Sequence, residues 1–429
     1  MAGGTTSAVL AVAIVLLARS VSAQQLVSSV PITPVLQLQA ARVIPDVVNG
    51  VVSPAENLTI IYGGVNSVGY GNELTVNQTQ AAPIVNVING SDPASLYTLI
   101  LSDPDVPDPS VAGPNSSYLH YLVVNITGGA SSNIAVTGVP LAPYQPPAPP
   151  SGLHRYVFQL YKQNATARIG NISVSRSGFL PKTFAATYGL GLPVAVNFFR
   201  AQPAGANNLT TNSTPDVVEV QELLRGRVIP QVVPPFTPLA RLNVSYGNGT
   251  LSYGQIIAPA EATSPPAVYA QGIAPGTIYN STFPYFTLAV VDPDAPDPTT
   301  PTSSLILHYL KVNIPTNTPT ANIVNVTGGN VLQTYAPPGP PTGLHRYTFV
   351  LYGQGRLSNA TAPASRSLFN LTSFALNNTL GSPLAAFYFN SLRVNTTTAA
   401  FAPANTNATL VTPTATNATA AKVPAPAPK

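Results

Sequence analysis

The chain has 429 residues, 45% of them apolar and only 7% charged, with a formal net charge of +4. That length holds two or three domains with sizeable cores, and a small, scattered positive charge with no Lys/Arg block excludes nucleic acid as an expected partner. Cysteine is absent, so disulfides, thiol catalysis and Cys-ligated metals are excluded and stability rests on core burial.

Residues 1–23 read as a secretory signal peptide, with an apolar run from Ala8 to Ala18 and small residues Val21-Ser22-Ala23 before Gln24. The alternative, an uncleaved anchor, is disfavoured because the run is short and Arg19 interrupts it. The mature chain is therefore expected to be secreted, with no transmembrane segment, and its last residues lack the hydrophobic tail of a lipid-anchor signal. Asn-x-Ser/Thr acceptors for glycans are dense, among them Asn57, Asn77, Asn125, Asn164, Asn171, Asn208, Asn243, Asn280, Asn325, Asn370 and Asn417.

Residues 24–32 read as a frayed start. Val35 to Ala41 has a short helical pattern that ends at Arg42-Val43-Ile44-Pro45. A strand is expected over Leu58 to Tyr62 and closes at Gly63-Gly64. The apolar run Tyr97 to Leu101 predicts a buried strand, and it leads into Asp103-Pro104-Asp105-Val106-Pro107-Asp108-Pro109. Proline cannot continue a central ladder, so these acids sit on a stiff turn at a strand end. A largely buried strand follows over His120 to Ile126, then a Pro/Gly-rich loop over 143–152, a strand over Arg155 to Gln163, a short helix over Phe179 to Tyr188 and a strand over Val194 to Arg200.

Residues 201–215 read as a linker, after which the pattern restarts. Helical Val217 to Arg225 leads into Arg227-Val228-Ile229-Pro230, which echoes residues 42–45. Arg241 to Tyr246 echoes the first strand, and Phe286 to Val291 leads into Asp292-Pro293-Asp294-Ala295-Pro296-Asp297-Pro298. His308 to Ile314, Arg346 to Gln354 and Leu380 to Phe389 complete the echo. The near-constant offset, about 190 residues, is far longer than a solenoid repeat and means one domain used twice. Residues 395–429, rich in Thr, Ala, Pro and Asn, read as a disordered tail.

The four histidines, His120, His154, His308 and His345, all fall at repeat-equivalent positions. One of each pair starts a strand and the other lies in Gly-Leu-His-Arg-Tyr. A lone histidine at a strand end is ordinarily structural; two per copy, paired with an acidic turn, point to a site. The loop before the second histidine also recurs, Tyr144-Gln145-Pro146-Pro147-Ala148-Pro149-Pro150-Ser151-Gly152 against Tyr335-Ala336-Pro337-Pro338-Gly339-Pro340-Pro341-Thr342-Gly343. Its prolines lower the entropic cost of holding one shape. A Pro-rich ligand for a partner domain is the alternative.

Together, D-P-D-x-P-D-P, H-Y-L-x-V-N-I, Y-x-P-P-x-P-P-x-G-L-H-R-Y and a closing L-G-x-P resemble the phosphatidylethanolamine-binding protein family, over roughly 33–200 and again over 216–394. The resemblance implies a mainly-β domain with a large antiparallel sheet, a smaller sheet and a few peripheral helices. It also implies a small pocket for anions such as a phospholipid headgroup phosphate. The family's pocket positions fall on Asp103, Asp105, His120, His154 and Tyr156, and on Asp292, Asp294, His308, His345 and Tyr347. The loops carrying Pro147 and Pro338 would form its wall. Many relatives have Trp or Phe where Tyr121 and Tyr309 stand. The helix that covers the pocket mouth in some relatives has no match after Arg200 or Leu392, which implies a more open mouth.

Elementary chemistry agrees, with the aspartate expected to orient an imidazole and favour its charged form while imidazole N–H and tyrosine O–H donate to the anion. The leading expectation is a secreted, non-catalytic binding protein for a phosphate-bearing small molecule or phospholipid headgroup, without a cofactor. The alternatives are an inhibitor of a secreted serine carboxypeptidase and a metal-dependent hydrolase using the Asp/His set. No Gly-x-Ser-x-Gly elbow is present for a serine lipase.

Overall fold

The computed structural model describes residue 30 and residues 33–48, 57–88, 92–113, 116–129, 133–163, 168–203, 215–247, 249–272, 283–316 and 323–393. The signal peptide, most of the linker, the tail, the side chain of Asn57, and Asn164, Asn208, Asn280 and Asn417 lie outside them.

The first copy builds a five-stranded antiparallel sheet in the order Val139–Ala142, Tyr118–Thr127, Leu96–Asp103, His154–Gln163, Ala195–Ala201. Its small sheet centres on Asn57–Tyr62, flanked by Asn66–Ser67 and Ile84–Ile88. The second copy repeats this as Asn330–Gln333, Ile306–Pro315, Tyr285–Asp292, His345–Gln354 and Pro383–Ser391, with the two-residue strand Ile256–Ile257 added parallel to the last. Its small sheet centres on Ala240–Tyr246 and Ala267–Gly272. Each of these sheets draws its strands from one copy, and the fold is the mainly-β architecture expected from the sequence.

The central strand Leu96–Asp103 is buried along its whole length because both faces of the sheet are covered. Side chains alternate between faces along a strand. Leu99 and Leu101 therefore join Phe158 and Phe199 against Leu58, Ile60 and Val85 of the small sheet. Ile100, with Leu122 and Val124, packs on Phe184 of the helix Pro181–Thr187. Val157 and Phe198, beside that helix, receive Leu38 of the helix Pro34–Ala40 and Val43 after it. The short strands Asn66–Ser67, Ile84–Ile88, Val139–Ala142, Gly249–Thr250, Ile256–Ile257, Ala267–Gly272, Ile323–Asn325 and Asn330–Gln333 were not among the expected elements.

Asn125 corrects one expectation. It sits at φ +55° where the Leu96–Asp103 and Tyr118–Thr127 register shifts. Its amide donates to Ile169 O at 2.8 Å, and its Oδ1 accepts from Ile169 N at 3.0 Å and Gln163 Nε2 at 3.1 Å. A glycan on that nitrogen would have to break a buried network, so Asn125 leaves the set of glycan acceptors. Asn313 makes the same bulge with Gln354 in the second copy, where no acceptor motif is present. Asn77, Asn171, Asn243, Asn325 and Asn370 are exposed.

One buried arginine ties each copy together. Arg155 donates from Nε to Asp105 Oδ2 at 2.9 Å and from Nη2 to Asp105 Oδ1 at 2.7 Å. Its Nη1 donates to the carbonyls of Ala41 and Arg42 at 3.0 and 2.8 Å and meets Asp46 at 3.3 Å. Arg346 repeats this with Asp294 at 2.8 and 2.7 Å and with the carbonyls of Gly226 and Arg227 at 3.0 and 3.1 Å, Gln231 replacing Asp46. The guanidinium thus joins the acidic turn to the segment that packs on the back of the sheet.

The described residues of both copies form one compact unit. Val30 and Leu36 of the first pack with Ile256 and Leu344 of the second, and Arg42 reaches Asp294 while Arg227 reaches Asp105.

Breaking a buried ion pair by removing one partner costs about 3–5 kcal/mol, because the other charge is left uncompensated. Arg346→Ala is expected to lower unfolding stability by that amount in denaturant titrations, with exposed Arg356→Ala as the control; a loss under about 1 kcal/mol would show that Asp294 finds other partners.

Candidate functional site

Asp103 ends the central strand, and its Oδ1 accepts the backbone N–H of Asp105 at 2.9 Å, which aims Oδ2 at His154. His154 opens the neighbouring strand and is fully buried. Its Nδ1 donates to Asp103 Oδ2 at 2.7 Å and its Nε2 donates to the carbonyl of Ser151 at 2.8 Å. With an acceptor at each nitrogen the ring holds both protons. Burial alone would lower its pKa; the hydrogen bond and charge of Asp103 outweigh that and raise it. His345 is placed identically, on Asp292 at 2.8 Å and Thr342 O at 2.9 Å, and is raised for the same reasons.

His120 is different. Its Nδ1 donates to the carbonyl of Gln145 at 2.8 Å, and Gln145 N returns a bond to His120 O at 2.8 Å, so this ring is pinned to the start of the Pro-rich loop. Its Nε2 makes no hydrogen bond among the described residues. Burial is the main influence and lowers its pKa, against the opposing pull of that carbonyl and of Asp103. His308 repeats this on Ala336 O at 2.8 Å, with Nε2 4.0 Å from Asp292, and is lowered likewise.

Tyr156 lies between the two rings, edge-on to His120 at 5.1 Å and stacked on Phe199 at 5.1 Å. Among the described residues its buried hydroxyl meets no partner at full hydrogen-bond geometry, and the Asp103 carboxylate stands beside it. Burial and then the Asp103 charge hold that phenol protonated, well above its ordinary pKa. Tyr347 stands at the same place, but its oxygen accepts the N–H of Gly339 at 3.2 Å. Pro147 and Pro338 are buried in their loops.

The third aspartate of each turn latches the loop shut. Asp108 accepts from Ser110 N at 2.7 Å and from the Ser151 hydroxyl, and Asp297 accepts from Thr299 N at 2.7 Å and from Thr342 Oγ1 at 2.9 Å. Gly152 (φ +76°) follows the latch, and a Cβ there would stand 2.7 Å from Pro109 Cδ, so a side chain is excluded both by conformation and by space.

Asp103, His120, His154 and Tyr156 come together, as do Asp292, His308, His345 and Tyr347, while Pro147 and Pro338 are buried in the adjoining loops. Asp105 and Asp294 do not take part, because both oxygens of each are held by Arg155 or Arg346. For Asp105, burial works against ionisation, yet Arg155 and then Arg227 hold its pKa at about 2; for Asp294, Arg346 and Arg42 do the same, also to about 2. His154 and His345 likewise have no free nitrogen for a ligand or a metal, so the donors facing one are His120 Nε2 with Tyr156 and His308 Nε2 with Tyr347. Among the described residues no group of three or more His, Cys, Asp or Glu is placed to hold a metal ion, and no helix is long and apolar enough to cross a membrane.

Sequence reasoning missed Arg176 and Arg366. Arg176 donates to the carbonyls of Leu119, His120 and Pro143 at 2.8, 3.2 and 2.6 Å, and Arg366 to those of Leu307, His308 and Thr334 at 2.9, 3.3 and 2.8 Å. Each fixes the strand that presents the free histidine. The recurrence of Ser-Arg-Ser at 175–177 and 365–367 was the available signal.

A duplicated two-sheet β domain with an Asp–His pair beside a proline-rich loop defines the class: a tandem protein with one such cluster per copy. The sequence profile of phosphatidylethanolamine-binding proteins matches residues 55–199 and 235–390. The chain belongs to that family, with two tandem domains. It is 36% identical to protein TERMINAL FLOWER 1 of Arabidopsis thaliana over 176 residues, 41% of this chain and 92% of that protein. It is also 36% identical to the rice protein MOTHER of FT and TFL1 homolog 2 over 177 residues, 41% and 94% of the two chains. Similar solved structures include a carboxypeptidase Y inhibitor complexed with its cognate proteinase (22% identity, TM-score 0.36, 40% of this chain, 95% of that one). Another is a phosphatidylethanolamine-binding protein from Plasmodium vivax (21% identity, TM-score 0.36, 40% and 98%).

The raised pKa of His154 and His345 links stability to pH. Their contribution is complete below the ordinary histidine value, about 6.5, and is lost as pH rises through the raised folded values. Denaturation midpoints followed from about pH 5 to 9 should fall for the wild type relative to His154→Asn/His345→Asn. Parallel curves for the two proteins would refute the charged-ring assignment.

Proposed function

We propose that the chain is a non-catalytic binding protein with an anion site in each copy for phosphate-bearing ligands such as phospholipid headgroups. The observation that carries this is the free Nε2 of His120 and of His308. Each ring is oriented by a loop carbonyl at Nδ1, so a proton gained at Nε2 creates a charged donor aimed away from that carbonyl. The protonated hydroxyls of Tyr156 and Tyr347 supply a second donor. Asp103 and Asp292 stay away from the anion and brace the other histidine. The hydroxyl–carboxylate pairs present, Ser151–Asp108 and Thr342–Asp297, are read as latches that close the loop, which favours binding over turnover. Peptidase inhibition has no residues of this chain to point to and stands as the reading to which a failed binding test would lead. The proposed setting is extracellular, resting on residues 1–23, and N-terminal sequencing of secreted material should begin at Gln24.

Calorimetric titration of O-phosphoethanolamine and sulfate tests the site. His120→Ala/His308→Ala should weaken binding by about ten- to a hundredfold, the value of a hydrogen bond to a charged group. Because burial lowers the His120 and His308 pKa values and the bound form is the protonated one, sulfate affinity should rise as pH falls from about 7 to 5, by at most about tenfold per unit for one proton taken up. Sulfate keeps its charge over this range, so a flat profile would sink the assignment of His120 and His308 as donors.

A further inference from the structure

Arg42 and Arg227 occupy equivalent positions, and both have a left-handed backbone, φ +56° and +55°. Glycine is the ordinary choice there, and a β-carbon costs about 1–2 kcal/mol. Each conformation is held because its own carbonyl accepts from Arg155 or Arg346. An arginine kept twice at so unsuited a position implies that its side chain has work to do.

That side chain crosses to the other copy. Arg227 Nη1 donates to Asp105 Oδ1 at 3.3 Å and to the Pro109 carbonyl at 2.8 Å, and Nη2 donates to the Ala112 carbonyl at 3.4 Å. These three acceptors span the first acidic turn. Asp103, which holds His154, starts that turn, and Asp108, which latches Ser151, lies between the acceptors. Arg42 Nη1 donates to Asp294 Oδ1 at 2.9 Å, two residues from Asp292, which holds His345. Leu36 of the first copy also packs with Leu344, the residue before His345. Both arginines are buried, 7% exposed each.

We propose that Arg227 and Arg42 are positioning residues, each fixing the acidic turn of the other copy's pocket, so that the two pockets are built only in the docked pair. This rests on the pockets being the sites described above. The arrangement is unequal: Arg227 holds the first turn at three points, whereas Arg42 holds the second at one and shares its other end with Asp46 at 3.3 Å. The first pocket therefore depends more on its partner than the second does.

The four histidines divide two to a pocket, so histidine-ring NMR on the full chain reads each pocket separately, with signals assigned by single His→Asn variants. Inorganic phosphate is the probe. Arg227→Met should move the His120 and His154 signals and weaken phosphate binding there by about fivefold or more, leaving His308 and His345 in place. Arg42→Met should do the reverse with a smaller effect. Unmoved signals in the nearby pocket, or equal movement of all four rings, would overturn the proposal. Arg227→Lys keeps the charge with fewer hydrogen bonds and should shift the same two rings less; if the Met variant does not fold, an unshifted Lys variant overturns the proposal. Wild-type rings that ignore phosphate would overturn the anion reading, and the ring shifts of the variants alone would then decide the positioning.

Discussion

A guanidinium removed from water needs an acceptor for each of its donors, and Arg155 and Arg346 obtain theirs from two distant stretches of chain at once. One stretch is the acidic turn, through Asp105 or Asp294. The other is the end of the helix that covers the sheet, through two backbone carbonyls. No hydrophobic contact fixes relative position as tightly, because the planar fork meets a carboxylate in one geometry only. Displacing either stretch leaves a buried charge unmatched. The Asp–His pairs inherit this constraint, since Asp103 and Asp292 sit two residues before the aspartates that are held.

The same requirement explains how the copies meet. Around the contact stand Arg42, Arg155, Arg227 and Arg346 against Asp46, Asp105 and Asp294. Four cations face three carboxylates, and Gln231 stands where symmetry would place a fourth acid. Burial lowers the pKa of Arg42 and Arg227, with neighbouring arginines adding to the effect. Such a cluster contributes little net stability, because desolvation offsets much of the attraction, but it tolerates few alternative dockings. Apolar burial at Leu36, Ile256 and Leu344 supplies attraction without that selectivity.

The duplication and the strands were legible in the sequence because they depend on local pattern. Apolar runs, turn prolines and equal offsets survive without knowledge of partners. The short edge strands were not, since four residues such as Val139–Ala142 carry too little periodicity. That Asp103, His120, His154 and Tyr156 lie together was legible; that Asp105 turns away to Arg155 was not. In Asp-Pro-Asp the two acids look equivalent, and which face each takes is decided by tertiary partners. Strand alternation did contain a usable hint: His154 and Tyr156 share a face, so Arg155 between them must point the other way and needs a buried acid. Arg42 and Arg227 were hidden because a left-handed arginine looks, in sequence, like an ordinary helix end.

The two histidines of each copy differ in what their nitrogens face. A ring with acceptors on both sides, His154 or His345, is charged and fixed, so it can brace a loop but cannot respond to a ligand. A ring with one carbonyl partner, His120 or His308, has its orientation set and its second nitrogen uncommitted. Burial lowers the pKa of that ring, and a negative charge beside it would favour its protonation. The carboxylate between them would repel the same anion if it were bare. Its bond to the charged ring offsets that repulsion. Each copy thus pairs one ring bound to its aspartate with one ring held only through Nδ1 by a loop carbonyl.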